Sequence, residues 1–387
     1  MKDDFSLVLG GPLYQLFLRS RLARPPLDFL KRRVIVITLL AWLPLLVLSL
    51  LEGRALGGTG IPFLKDLPAQ VRLLVALPLL ILAEKVIHER LKPAVELFVE
   101  KGIVRPEDRS RFDELVSSTI RWRNSIVVEL GLLALILAVG HAFQMEKLAS
   151  HGDMWFSKTT DSGLGLTRAG LWYAWVSLPI FQFILIRWYY RLVLWGRFLF
   201  LVSRLDLDLA PSHPDCAGGL GFLGTSLSAF SPILLAQSAL VSAVVGARIL
   251  QHGAQLQEFK SELVGILALA LLQVLGPLMV FGPRLLQAKR RGLREYGLLA
   301  DRYVRGFDRK WIRGGAPAEE PLVGSADIQS LADLNNSFDV VRRMRPFPFG
   351  KETVIPLVVT TVLPGLPLVL TVIPLEELFK RLVGALF

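Results

Sequence analysis

The chain has 387 residues, 52% of them hydrophobic and 20% charged, with mean hydropathy +0.50 and formal net charge +11. This composition, with several apolar runs of ~20 residues, excludes an ordinary soluble domain and matches the length needed to cross a ~30 Å hydrocarbon layer. A single cysteine excludes an internal disulfide and a multi-cysteine metal centre. The positive charge reads as the Lys- and Arg-rich loops of a membrane protein rather than as a nucleic-acid surface.

In lipid the backbone must satisfy its own hydrogen bonds, so the apolar runs are helices. The alternating pattern of a β-barrel is absent. The fold class predicted is all-α: one integral membrane domain over 1–387, a polytopic transmembrane helical bundle with cytosolic helical extensions.

Residues 1–33 form a basic segment with Arg24-Pro25-Pro26 as a breaker and a short interfacial helix around Leu13, Leu16, Phe17 and Leu18. The basic region is too long for a cleavable signal peptide, and no small-residue cleavage site follows the apolar run. Spans are predicted at about 34–51 and 69–86, with a glycine-rich loop between them. A charged cytoplasmic loop occupies 89–123, where Arg105-Pro106-Glu107-Asp108 reads as a helix start. The third span is 124–145, carrying Glu129 and His141, followed by a polar loop over 146–169. The fourth, 170–190, continues towards Leu205 as a stalk through Arg187-Trp188-Tyr189-Tyr190-Arg191.

A connector follows, Ser212-His213-Pro214-Asp215-Cys216-Ala217-Gly218-Gly219-Leu220-Gly221-Phe222-Leu223-Gly224. The fifth span is 228–250. The sixth, 263–282, is interrupted by Gly276-Pro277 and closed by Gly282-Pro283. A cytoplasmic helical segment occupies 284–351, and within it Ser325–Met344 reads as an amphipathic helix capped by Ser325. The seventh span, 354–375, holds four prolines, and an amphipathic tail closes the chain. An alternative is six spans plus a C-terminal re-entrant hairpin.

Basic residues orient the bundle. There are 7 in 1–33, 8 in 89–123, 4 in 187–227 and 14 in 284–351, 33 together, against 10 on the opposite side. The N-terminal side is therefore cytoplasmic.

Three blocks carry a resemblance. They are His213-Pro214-Asp215 with Gly218-Gly219-Leu220-Gly221-Phe222; Gly324-Ser325-Ala326-Asp327-Ile328-Gln329-Ser330-Leu331-Ala332-Asp333-Leu334; and Leu370-Thr371-Val372-Ile373-Pro374-Leu375-Glu376-Glu377. In these blocks the chain resembles a group of uncharacterised multi-pass membrane proteins of Gram-negative bacteria. The resemblance implies topology and an inner-membrane location, and no activity.

The candidate functional residues are few. Gly219-Leu220-Gly221-Phe222-Leu223-Gly224 fits G-x-G-x-x-G, but no strand precedes it, so a turn or close packing is the reading rather than a nucleotide site. His213 and Asp215 are acid/base candidates, or a proline-fixed turn with Asp215 as its cap; two ligands with one sulfur nearby do not make a metal site. Gly218, Gly219 and Gly221 are binding candidates beside them. Ser238, Ser242 and Gly246 share one face of the fifth helix, where small residues let helices approach closely or, with Gln237, line a pore. Glu129 and Arg187, at membrane depth near the cytoplasmic side, are an ion pair or a translocation site.

The function this points to is of transport type, a channel or a small-solute or ion carrier, at the inner membrane. The rivals are a membrane enzyme working at the cytoplasmic face and a non-catalytic scaffold. No cofactor and no metal is called for. The expected partners are the lipid bilayer and further copies of the chain, with no nucleic acid.

Overall fold

A computed structural model describes residues 5–22, 24, 28–58, 60–140, 154–160 and 163–369. Helix makes up about 76% of it, and the described residues hold a single two-stranded sheet, so the fold is all-α.

Ten helices among the described residues carry the architecture. Helix α1 is Pro12–Arg19 and α2 is Leu30–Leu51. Helix α3 runs over 67–100, with a widened turn at Arg72–Ala76. Helix α4 is Arg109–Arg123, and α5 covers 126–140. Strands β1 (Ser157–Thr160) and β2 (Gly163–Leu166) pair antiparallel, with Ser157 opposite Leu166. Then come α6 (Arg168–Val202), α7 (Gly221–Gln251), α8 (Leu256–Ile312), α9 (Ala326–Arg343) and α10 (Lys351–Val369).

Five of these, α2, α6, α7, α8 and α10, are long and apolar enough to cross a membrane. Helix α2 shows why. Its buried residues Arg33, Ile37, Ala41, Leu45 and Ser49 recur every four positions and form one stripe. Ile35, Leu39, Leu43, Val47 and Leu50 on its other faces are exposed although apolar. A helix apolar all round but covered on one stripe has no reason to be stable in water. Pro44 removes one N–H from this helix, and beside it the Ser177 hydroxyl donates to the Ala41 carbonyl at 2.6 Å.

Helices α3, α6 and α7 are central. Helix α3 packs on α2, α6 and α7, and α7 also packs on α10. Helix α9 folds back along the far half of α8 as a helical hairpin. Its start is as read: the Ser325 hydroxyl accepts the Asp327 N–H at 3.1 Å.

Four segments depart from the sequence reading. Gly282-Pro283 does not end the helix of the sixth span. Pro283 falls in the first turn after a tightened stretch at Gly276–Phe281, where a missing N–H costs little, and the helix continues to Ile312. The loop over 146–169 contains the β1–β2 hairpin. The basic segment before α2 is not confined to an interface, since Phe5, Leu7 and Val8 are in the core. Helix α3 extends well past residue 86. His141, the end of the third span, the last residues of the seventh and the tail lie outside the described residues.

Candidate functional site: a buried arginine–glutamate cluster

The densest polar arrangement sits where α2, α3, α4, α5 and α6 come together around residues 5–13. Arg33 opens α2, Glu84 lies on α3, Arg123 ends α4, Glu129 is in the first turn of α5, and Arg187 and Arg191 are one turn apart on α6. All six residues are between 1% and 8% exposed.

Glu84 is the hub. Its Oε2 lies 2.6 Å from Arg33 Nη2, and its Oε1 lies 3.0 Å from Arg191 Nη1 and 3.6 Å from Arg187 Nη1. Arg187 bridges onward, with Nε 2.9 Å from Glu129 Oε1. The other Glu129 oxygen accepts the backbone N–H of Leu13 at 2.8 Å. The remaining guanidinium groups are met by carbonyls of the N-terminal segment. Arg123 donates to Ser6 O at 2.5 Å, Arg187 to Gly10 O at 3.2 Å, and Arg191 to Val8 O at 3.5 Å.

Two glycines allow that approach. Gly10 and Gly11 have φ of 146° and 86°, and a Cβ at Gly11 would stand 2.6 Å from Glu129 Oε1. Aromatic faces complete the walls, with Arg191 over Trp188 at 4.6 Å and Arg33 over Phe17 at 5.3 Å.

Among the described residues, four guanidinium groups and two carboxylates leave two surplus positive charges in a buried site. Unpaired buried charge costs several kcal/mol per ion, and carbonyl dipoles offset only part of it. The strain shows at Arg33. Its Nη2 is close to Glu84 but off the line a hydrogen bond requires, and its Nε faces no acceptor among the described residues. A cavity of about 10 Å³ lies beside these atoms, lined by Leu13, Phe17, Arg33, Ile81, Glu84, Ile184, Arg187 and Arg191.

The sequence-predicted pair Glu129 and Arg187 is thus brought together. The reading missed Arg33, Arg123, the N-terminal carbonyls and the hub itself, Glu84. A short apolar run ending in Gly10-Gly11, next to a basic stretch, was the available signal.

The connector is a separate place. Asp215 Oδ1 accepts the N–H groups of Ala217 at 2.8 Å and Gly219 at 3.2 Å, and Oδ2 accepts that of Gly221 at 2.8 Å. Burial opposes the charge. The N–H groups of Ala217, Gly221 and Gly219, and then His213, outweigh it and hold the carboxyl below its ordinary value. His213 Nδ1 lies 2.9 Å from Asp215 Oδ1 and also faces the Asp215 N–H at 3.2 Å. Gly218 and Gly219 take φ of 64° and 96° to wrap the turn around this carboxylate. Arg345 fastens it, donating its N–H to Cys216 O at 2.7 Å and Nη2 to Asp215 O at 2.8 Å. This is the geometry of a cap that starts α7.

On α7, Gln237 donates to the Tyr189 hydroxyl at 3.1 Å and pairs with Gln273 of α8 at 3.2 Å. Ser238 is buried and donates back to Leu235 O. Ser242 lines an apolar cavity of about 250 Å³ between α7, α8 and α10. Gly246 is the tight position, a Cβ there meeting Leu67 and Leu368 side chains at 3.2 Å. Among the described residues, no group of three or more His, Cys, Asp or Glu side chains is arranged to hold a metal ion.

No family model matches the chain, and neither a curated protein nor a solved structure matches it.

Proposed function

We propose that this is a multi-pass inner-membrane protein of transport type, a channel or carrier for small ions, with its N-terminal side cytoplasmic and further copies of itself as neighbours in the bilayer. The observation that carries the reading is the buried cluster with its charge surplus. It stands at the inner ends of long apolar helices, as the basic asymmetry orients them. Ionisable groups at such depth are costly and are retained chiefly where ions, protons or substrates are handled. Exposed apolar faces on α2 and on α8, where Val264, Leu269 and Leu272 face outward, support insertion in lipid.

The test is flux. Purified protein in phosphatidylethanolamine–phosphatidylglycerol vesicles is expected to pass ions faster than protein-free vesicles, read by a halide-quenched dye and by potassium release. Arg187→Gln is expected to lower the rate at least tenfold. Wild-type protein that gives no flux above lipid alone for halide, nitrate or potassium overturns the reading.

A scaffold role is the second reading. It rests on the α8–α9 hairpin, where Leu298, Leu299, Val304 and Ile328 are exposed. In that case, charge substitutions on the hairpin abolish the cellular phenotype and leave vesicle flux unchanged.

A further inference from the structure

We propose that the groove between α1 and the junction of α4 with α5 holds one anionic phospholipid, its phosphodiester on Arg19 and Arg123 and an acyl chain along Leu9, Leu16 and Ile126; the site presupposes insertion in a bilayer but not transport. Its size, donors, walls and depth fit that ligand.

The groove encloses about 680 Å³. That lies within the ~300–1,000 Å³ of small-molecule pockets, so a headgroup and the first part of a chain have room.

The donors are arginines. Arg123 is 8% exposed and lines the groove. Its Nε donates to Asn124 Oδ1 at 3.0 Å and its Nη1 to Ser6 O at 2.5 Å. Its Nη2 is engaged in neither bond and lies over Gly10, where a Cβ would stand 2.6 Å from it. Arg19, exposed in the last turn of α1, lines the same groove and has no protein partner among the described residues. A guanidinium fork matches two oxygens of one phosphate. Among the described residues, none that lines the groove is Asp or Glu.

The rest of the wall is apolar. Leu9, Leu16 and Ile126 line it, and Leu16 and Ile126 are 57% and 61% exposed. Only an amphiphile matches both sides. A free phosphate leaves the apolar wall in water, and a plain hydrocarbon leaves the arginines without an acceptor.

Depth agrees. Helix α5 starts beside the groove, with the Ser125 hydroxyl accepting the Val128 N–H at 3.4 Å. Ile126, Val127 and Leu130 then face outward, and Trp122 just before them is half exposed. An exposed tryptophan next to an outward apolar helix face marks the level where hydrocarbon gives way to headgroups. Arg19 and Arg123 stand at that level.

The floor of the groove is the backbone of residues 10–13, the partition between it and the buried cluster. Glu129 holds this backbone through the Leu13 N–H, and Arg187 holds it through Gly10 O. A seated lipid therefore braces the segment on which the cluster closes.

The experiment is equilibrium binding to the purified full chain in neutral detergent. The probe is phosphatidylglycerol with a fluorescent acyl tail, read by polarisation. The competitors are short-chain phosphatidylglycerol, short-chain phosphatidylcholine and glycerol 1-phosphate. Saturable binding is expected, displaced by phosphatidylglycerol at roughly tenfold lower concentration than by phosphatidylcholine, and not by glycerol 1-phosphate. Arg19→Gln should weaken binding about tenfold, the scale of one charge-assisted contact. Arg32→Gln, exposed and outside the groove, should leave it within about twofold. Equal displacement by the two phospholipids overturns the site, and that comparison needs no variant to fold. Equal weakening by Arg19→Gln and Arg32→Gln also overturns it, because bulk charge then accounts for the binding. Glycerol 1-phosphate as potent as phosphatidylglycerol overturns the lipid in favour of a soluble phosphate. The two proposals fail separately. Selective phosphatidylglycerol binding without vesicle flux removes the transport reading and leaves the groove. Flux with equal displacement does the opposite.

Discussion

Glu84 Oε1 receives Arg191 Nη1 at 3.0 Å, across 107 positions of sequence, and this contact ties α3 to α6 at the point where both are surrounded by arginines. The relationship is asymmetric. Glu84 faces three guanidinium groups, whereas each arginine has a carbonyl, a carboxylate or an aromatic face to turn to.

Glu84→Gln should therefore be the most damaging single change in the cluster. Removing one partner of a buried ion pair costs about 3–5 kcal/mol. Glu129→Gln, which disturbs one arginine and the Leu13 N–H, should cost less. Unfolding midpoints in detergent rank the two, and equal midpoints would mean that Glu84 is not the hub.

Gly11→Val should release the N-terminal segment. The added side chain meets Glu129 at 2.6 Å and the backbone φ of 86° disfavours any Cβ. Ser6, 3% exposed, is the reporter. Ser6→Cys in a Cys216→Ser background should resist a membrane-impermeant maleimide and become reactive once Gly11→Val is added. Slow labelling in both proteins would show that the partition survives the substitution.

Asp215→Asn should lower stability, by about 1–2 kcal/mol from weakened hydrogen bonds to backbone donors, because an amide Nδ2 cannot accept the N–H that Oδ2 now takes. The sign of the pH effect follows. The folded carboxyl lies below its ordinary value, so its contribution is complete above about pH 4, the unfolded value. It fades as pH falls through the lower folded value. Activity should drop only in proportion to folded protein. A variant that melts like wild type yet loses activity would return Asp215 to the chemistry.

Ser242→Leu and Gly246→Leu should diverge although they lie on one helix face. Ser242 borders a cavity of about 250 Å³ that can take the added carbons, so its midpoint should change little. Gly246→Leu drives into Leu67 and Leu368 and should cost about 1–3 kcal/mol or more. Gel filtration and melting of the pair decide it, and the reverse ranking would show that the cavity is not available.

Reporter fusions after residues 105, 210 and 315 should all report the cytoplasm, as the 33-to-10 distribution of basic residues requires. One periplasmic signal among them inverts the proposed orientation.

What was legible in the sequence is what local chemistry dictates. Apolar runs become helices, Ser325 becomes a cap, and Asp215 in a proline-fixed turn holds backbone N–H groups. What was not legible depends on distant partners. Nothing near Arg33 says that Glu84 will meet it. Phe5, Leu7 and Val8 are too few to announce a buried segment without the arginines that meet the carbonyls of Ser6, Val8 and Gly10. Gly282-Pro283 reads as a stop because helix breakers are judged by composition, whereas the preceding tight turn had already broken the hydrogen-bond ladder at that point.

Helix α8, at 57 residues, is a rod of about 85 Å, and mechanics follows from its length. Beyond the tightened stretch at Gly276–Phe281 it reaches a further ~45–50 Å to Ile312. A tilt of about 10° at such a pivot displaces the tip by roughly 8 Å, while the segment on the other side barely moves. The hairpin with α9 is thus a pointer: whatever touches its end can exert leverage on the helices at its base, and a small rearrangement at the base becomes a displacement large enough to make or break a contact at the end.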